Sequence, residues 1–204
     1  MKLVDLSHPI SNEMSTYPSD PDVSIKVQKQ IENDGSLLHS FSMGTHTGTH
    51  LDAPAHIIPN TKTLSDFALE SFFGLAIKVD NDSYKSLKRR KEKFDGIIYD
   101  TGWYNKFEDP ITFYGNKRPV IPMDLIQISI ELNVNFFGCD LPSVDTSGLK
   151  DKPLHYALLE KDIIIYESLA NLNCVPTSVP FKFYGFPLSF QNFDGSPVRA
   201  IGLL

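Results

Sequence analysis

His46-Thr47-Gly48-Thr49-His50-Leu51-Asp52-Ala53-Pro54-Ala55-His56 places three of the chain's six histidines and a carboxylate within eleven residues. Imidazole and carboxylate together form the ligand set of zinc, manganese and ferrous iron. No regular element presents all four side chains to one ion. On a helix His46 and His50 share a face, one turn apart, but Asp52 then points about 200° away from His50, at about 100° per residue. On a strand all four share a face, yet His46 and His50 stand about 13 Å apart at about 3.3 Å per residue. Bonds of about 2.1 Å cannot span that distance. The backbone must therefore bend between the two histidines. Gly48 permits the bend, and Pro54 stiffens the exit. The segment reads as a strand that breaks into a turn wrapped around a metal.

The rest of the chain sets bounds on what this segment serves. Its 204 residues are expected to form one domain, 1–204, with an ample core. A hydrophobic content of 41% with 22% charged residues is that of an ordinary soluble protein. The net charge of −6 argues against a nucleic-acid partner, which calls for a basic face. No run approaches the ~20 apolar residues of a membrane span, and Met1-Lys2-Leu3-Val4-Asp5 lacks the apolar core of a signal peptide. Cys139 and Cys174 are too few for a disulfide framework and lie in apolar contexts, so both are expected as buried free thiols. A cytoplasmic protein without membrane contact is expected. Asn81-Asp82-Ser83 fits a glycosylation acceptor, a pattern without meaning in a protein that is not secreted.

Taken in order, residues 3–6 predict a short strand. His8 precedes a proline and is extended, fitting a loop or cap better than a ligand. Residues 23–28 alternate apolar and polar as a strand does, and residues 37–43 return as its partner, with His39 in a structural role. A capped helix is predicted from Thr63 to about Phe72, then a strand over 75–80, then a basic, solvated helix over 84–93. Buried strands follow at 96–100 and 134–140, separated by an amphipathic helix over 122–132 with proline at its start. Strands alternating with helices imply crossovers and partly parallel pairing. Asp100 and Asp140, at strand ends, read as caps. A short helix over 154–160 carries His155, and an apolar strand over 162–167 ends in Glu167, which must face solvent, a partner or a metal. The tail from 179 is rich in strand formers. Asp194-Gly195 reads as a turn, and Arg199 fits an ion pair better than a substrate anion.

Read as HxGTHxDxPxH, residues 46–56 resemble the signature of the cyclase-like metal-dependent hydrolases, a family that includes bacterial kynurenine formamidase and isatin hydrolase. Thr101-Gly102-Trp103, Leu141-Pro142-Ser143-Val144-Asp145, His155 with Glu167 to Leu172, and Asp194-Gly195-Ser196-Pro197-Val198-Arg199 are similar too, so the resemblance covers nearly the whole chain. It implies an α/β fold, the swivelling β/β/α domain with a mixed sheet flanked by helices, assembled as a homodimer or homotetramer. It implies His46, His50, Asp52, His155 and Glu167 as metal ligands. In that scheme Asp52 and Glu167 bridge two ions, His46 and His50 hold one, and His155 holds the other. Five ligands suit two ions better than one open zinc site, which has three protein ligands. Nitrogen and oxygen ligands without thiolate do not separate zinc from manganese.

His56 matches the family's proton donor and acceptor, and an unperturbed pKa near ~6.5 suits that work. Tyr17, before Pro18, matches an aromatic substrate contact that is usually tryptophan in the formamidase branch; its loop would line a neighbour's site. The implied activity is hydrolysis of the C–N bond in a small-molecule amide, either a linear formamide (arylformamidase-like) or a cyclic amide. A metal-dependent cyclase or dehydratase acting on a polyketide-like carbonyl is the alternative, followed by a non-enzymatic binder of metal or small anions. Retention of His56, which metal binding does not require, speaks against the last.

Overall fold

The computed structural model describes residues 1–146 and 148–204. Its strands are β1 (Leu3–Asp5), β2 (Ser24–Lys29), β3 (Leu38–Ser42), β4 (His50–Asp52), β5 (Phe73–Val79), β6 (Gly96–Tyr99), β7 (Phe136–Cys139), β8 (Ile164–Glu167), β9 (Pro180–Tyr184), β10 (Gly195–Pro197) and β11 (Ile201–Leu203). The helices are α1 (Ile31–Asp34), α2 (Pro110–Phe113), α3 (Met123–Glu131) and α4 (Pro153–Leu159). One mixed sheet runs β1-β11-β9-β5-β6-β7-β8-β4-β10, and β2 pairs with β3 in a separate antiparallel hairpin.

β5 to β8 are parallel neighbours. Parallel strands need crossovers, supplied here by α3 between β6 and β7 and by α4 between β7 and β8. The apolar runs over residues 97–99, 136–139 and 164–166 are what a sheet covered on both faces requires. Ile97, Phe137 and Ile165 pack with Leu125 and Ile126 of α3 and Leu154 and Leu158 of α4. The alternate residues Ile98, Phe136, Ile164 and Tyr166 join a second core with Leu6, Leu51, Phe181 and Phe183. This is the α/β architecture, a mixed sheet flanked by few helices, that the sequence predicts. β4 lies against β8 at one side of the sheet, which brings the histidine-rich segment beside Glu167.

Three local expectations are corrected. Residues 63–72 form two 3₁₀ turns, Leu64–Asp66 and Leu69–Phe72, although the Thr63/Asp66 capping box is present. Phe67 turns extended between them, and a run this short does not offset the cost of nucleating an α-helix. The basic segment is helical only as the 3₁₀ turn Tyr84–Arg89. Its buried anchors, Tyr84 and Leu87, sit three residues apart, the spacing that 3₁₀ geometry eclipses. Cys139 is buried as expected, but Cys174 is exposed at the end of a 3₁₀ turn in which Leu172 takes the interior position. Among the described residues no helix is long and apolar enough to cross a membrane.

The tightest point of the core is Gly96. A Cβ there would lie 1.8 Å from the ring of Phe136, itself fully buried against Tyr166 and Phe183. Gly96→Ala should therefore cost about 1–3 kcal/mol of overpacking. That corresponds to a fall in melting temperature of roughly 2–12 °C for a chain of this size. Gly44→Ala, whose Cβ would meet neighbours at ordinary contact distances of 3.5–3.6 Å, should leave the melting temperature nearly unchanged in the same thermal scan.

Candidate metal centre

β4 alternates its side chains. Leu51 enters the second core, and His50 and Asp52 share the opposite face. Pairing with β8 sets His50 opposite Glu167 and Asp52 opposite Ile165. Residues directly opposed on antiparallel strands share a face, so the carboxylate that ends β8 lands beside the two. α4 brings buried His155 to the same place. Upstream, Gly48 adopts the left-handed φ of +63°, and the chain folds so that His46 Nδ1 lies 2.7 Å from Asp52 Oδ1. The bend required by the spacing is therefore real, although the turn precedes the strand rather than ending it. After β4, Pro54 opens a 3₁₀ turn ending at His56, whose ring centroid lies 4.1 Å from that of His46.

The distances suit a metal better than a hydrogen-bond network. His50 Nε2 is 3.4 Å from Asp52 Oδ1 and 3.5 Å from Glu167 Oε2. His155 Nε2 is 3.5 Å from Asp52 Oδ2 and 3.3 Å from Glu167 Oε1. These exceed the usual hydrogen-bond lengths, and they match the ~3.4 Å between two ligands on a tetrahedral ion with bonds of about 2.1 Å. Asp52 Oδ2 is buried without a hydrogen-bond partner, an expensive condition for a carboxylate oxygen. Each carboxylate turns one oxygen toward His50 and the other toward His155. His50 Nδ1–H donates to Gly48 O at 2.8 Å, and His155 Nδ1–H donates to Asp145 Oδ2 at 2.7 Å. Both histidines are thereby fixed with Nε2 free toward the carboxylates, the arrangement in which imidazole ligates metal. The donor set fits divalent ions. His46, Asp52 and His56 form one group that could hold an ion, and His50, Asp52 and Glu167 a second.

Electrostatics tell the same story. Asp52 and Glu167 are 1% and 3% exposed. Burial alone would raise both carboxyl pKa values, but the surrounding histidines hold Asp52 well below the carboxylate range and draw Glu167 to about 2. Burial works against charge on His46, yet carboxylates at both ring nitrogens, Asp52 and Asp194, raise it to about 10. His155 is also raised, against its burial, by Asp145, Asp52 and Glu167. The imidazolium forms of His46 and His155 are thus the ones the buried carboxylates favour.

A cavity of about 230 Å³ opens over this cluster, lined by Tyr17, Ser19, Asp20, Ser143, Lys152 and the histidines. Tyr17 lines this cavity and packs edge-on against Tyr114 at 5.8 Å. The side chain of His56 is 20% exposed, against 4% for His50 and 2% for His155. The expected ligands and His56 are thus brought together in one place. Residues set aside as structural stay apart from it. His8 stacks on Phe107 at 3.6 Å, where burial lowers its pKa to about 4. Asp140 caps the 101–104 turn, accepting from the N–H groups of Thr101, Trp103 and Tyr104; Asp100 pairs with Lys78, and Arg199 with Asp5.

Asp194 is the functional residue that sequence reading misses. Gly195 begins β10 opposite Asp52 instead of forming a hairpin turn. Asp194 Oδ2 then meets His46 Nε2 at 2.9 Å and His56 Nδ1 at 3.6 Å. A Cβ on Gly195 would lie 2.6 Å from His46 Cε1, so the glycine serves close approach rather than a turn. Asp-Gly carries both meanings, and the second shows only once β10 is paired.

Comparison with known proteins agrees with this geometry. Residues 4–146 match the family described as "Putative cyclase". The kynurenine formamidase of Bacillus thuringiensis subsp. konkukian (strain 97-27) is 31% identical over 97% of this chain and 95% of its own length. That of Salinibacter ruber (strain DSM 13855 / M31) is 30% identical over 98% and 97%. Isatin hydrolase A from Ralstonia solanacearum superposes with a TM-score of 0.86 at 21% identity, covering 98% of this chain and 91% of that one. Isatin hydrolase A from Labrenzia aggregata superposes at 0.84 and 22% identity, over 98% and 93%. The sheet order, the histidine-carboxylate cluster and the match over residues 4–146 together place this chain in the cyclase family.

Proposed function

We propose that this protein is a metal-dependent amidohydrolase that cleaves the C–N bond of a linear formamide or a cyclic amide. The observation that carries the reading is the pair of buried carboxylates, each turned toward two histidines at ligand spacing, beneath a cavity that His56 also lines. Kinship with kynurenine formamidases at about 30% identity over nearly full length supports it. Residues 1–204 act as one domain. The unpaired cysteines suit a cytoplasmic location, and the assembly is a homodimer or homotetramer, as the resemblance implies.

His46, His50, Asp52, His155 and Glu167 would hold two divalent ions, zinc or manganese. Bound there, such ions supply a nucleophile at neutral pH and polarise the amide carbonyl. The protein does the rest. Asp145 and the Gly48 carbonyl aim the ligating histidines. Tyr17, braced by Tyr114, offers an aromatic face to the substrate. Cleaving a C–N bond requires a proton on the departing nitrogen, and His56, which lines the cavity, would deliver it. Asp194 lies 3.6 Å from His56 Nδ1, a carboxylate close enough to favour the protonated ring. A panel of formamides and cyclic amides, scored by acid release, tests the reading; no turnover with zinc or manganese on any of them would overturn it.

Elemental analysis of carefully prepared protein should find up to two divalent ions per chain. Asp52→Ala and Glu167→Ala should lose metal and turnover together while keeping the native circular dichroism. Retained stoichiometry in either variant would remove that residue from the ligand set.

Metal uptake should release protons. With its pKa at about 10, His46 is protonated at neutral pH without metal, and a histidine must be neutral to ligate. Affinity should therefore rise as pH increases toward 10. Titration calorimetry at pH 7 in buffers of differing ionisation enthalpy reads the released protons directly; binding independent of buffer and pH would contradict the assignment of His46.

His56→Ala should keep both metals and the fold and lose roughly 10²–10⁴-fold in kcat, the usual worth of a general acid/base. Kinetics alongside metal analysis decide. A near-normal kcat takes His56 out of the mechanism, and loss of metal makes it a ligand.

A further inference from the structure

We propose that Lys152 forms an anion subsite within this cavity, and that the enzyme selects amides bearing a carboxylate a few bonds from the scissile nitrogen. The inference rests on the hydrolase reading of the same cavity and names its substrate class.

Lys152 lines the cavity beside His56, Ser143 and Tyr17. The other charged side chains on that lining, apart from histidines, are the acids Asp20 and Glu167. A lysine present merely to balance Asp20 would pair with it. Instead, among the described residues, the one polar contact of Lys152 Nζ is with His56 Nε2, at 3.3 Å. An ammonium has three donors, so two remain for a ligand. The backbone points the same way. Lys152 sits at φ 39°, ψ 59°, immediately before Pro153, in a left-handed conformation that costs a non-glycine residue about 1–2 kcal/mol. Glycine would adopt it freely, but glycine has no ammonium. Strain of this kind, held next to a functional group, is an observation from which function is properly inferred.

The position also sets a length. A carboxylate bound to Nζ at about 2.8 Å lies within roughly 6 Å of His56 Nε2, where the departing nitrogen takes its proton. An acid group a few bonds from that nitrogen lies inside that limit.

The test compares 2-formamidobenzoate with formanilide, its neutral counterpart, on metal-loaded protein. In Lys152→Met the KM for the carboxylated amide should rise about 10- to 100-fold, the worth of a charged hydrogen bond. Its kcat should change only a few-fold, and formanilide should show the same few-fold change in kcat, since Lys152 also touches His56, with its KM unaltered. Lys152→Arg should restore most of the loss. Lys152→Gly, which relaxes the backbone as it removes the ammonium, should behave like the methionine variant and guards against misfolding of the latter. Equal losses on both substrates would overturn the proposal, making Lys152 a support for His56, and so would an unchanged KM. A second arm needs no turnover: binding of 2-aminobenzoate, followed by its fluorescence, should weaken by the same factor in Lys152→Met, while binding of 2-aminobenzamide should not. If the wild type cleaves neither amide, this arm still decides for or against the subsite, and the wider amide panel decides the hydrolase reading.

Discussion

Asp52 and Glu167 are two carboxylates shut away from water and set beside each other, and the surrounding structure is an answer to that condition. A buried unpaired charge is among the costliest features a fold can hold. Polar partners must therefore converge from every direction. His50 arrives from the same strand as Asp52, His155 from α4, and His46 from the turn that Gly48 permits. The Val144 N–H donates to Glu167 Oε1 at 2.7 Å, bringing the 141–145 loop into the same arrangement. Asp145, one residue further, locks His155. The loop that closes one carboxylate thus also aims a ligand of both.

Much of this was readable from the chain alone because it is local. The bend at Gly48 follows from spacing arithmetic, and the parallel strands follow from apolar runs separated by helical ones. What could not be read was register. Nothing near His50 says that it will face Glu167, more than a hundred residues on; only pairing of β4 with β8 does so. Asp194 is concealed for the same reason, since its role depends on β10 lying against β4. Lys152 escaped notice because a lysine before a proline has no local signature beyond solvation. The helices that shortened into 3₁₀ turns, at 64–72 and 84–89, lacked a continuous apolar face, and tertiary contacts chose a tighter winding.

Exposure grades the cluster. His50, Asp52, His155 and Glu167, on β4, α4 and β8, are buried, and the two histidines are oriented by a buried carboxylate and a backbone carbonyl. His56, Tyr17 and Lys152 line the cavity from a 3₁₀ turn, the N-terminal loop and the residue before a helix. Regular elements thus fix the closely spaced donor groups, where errors of half an ångström matter, and irregular segments surround the opening above them.

His46 shows how the buried charge is balanced. Its two ring nitrogens lie between Asp52 and Asp194, and the two carboxylates favour its imidazolium form against the cost of burial. His155, faced by Asp145, Asp52 and Glu167, is raised in the same way, so two rings, not one, oppose the buried carboxylates. A histidine must be neutral to ligate, so binding a cation at either ring would exchange it for a proton. Asp194 joins the buried part of the cluster to its open part. Its carboxyl is held low chiefly by its hydrogen bond to His46, and the same oxygen lies 3.6 Å from Nδ1 of His56, the more exposed ring.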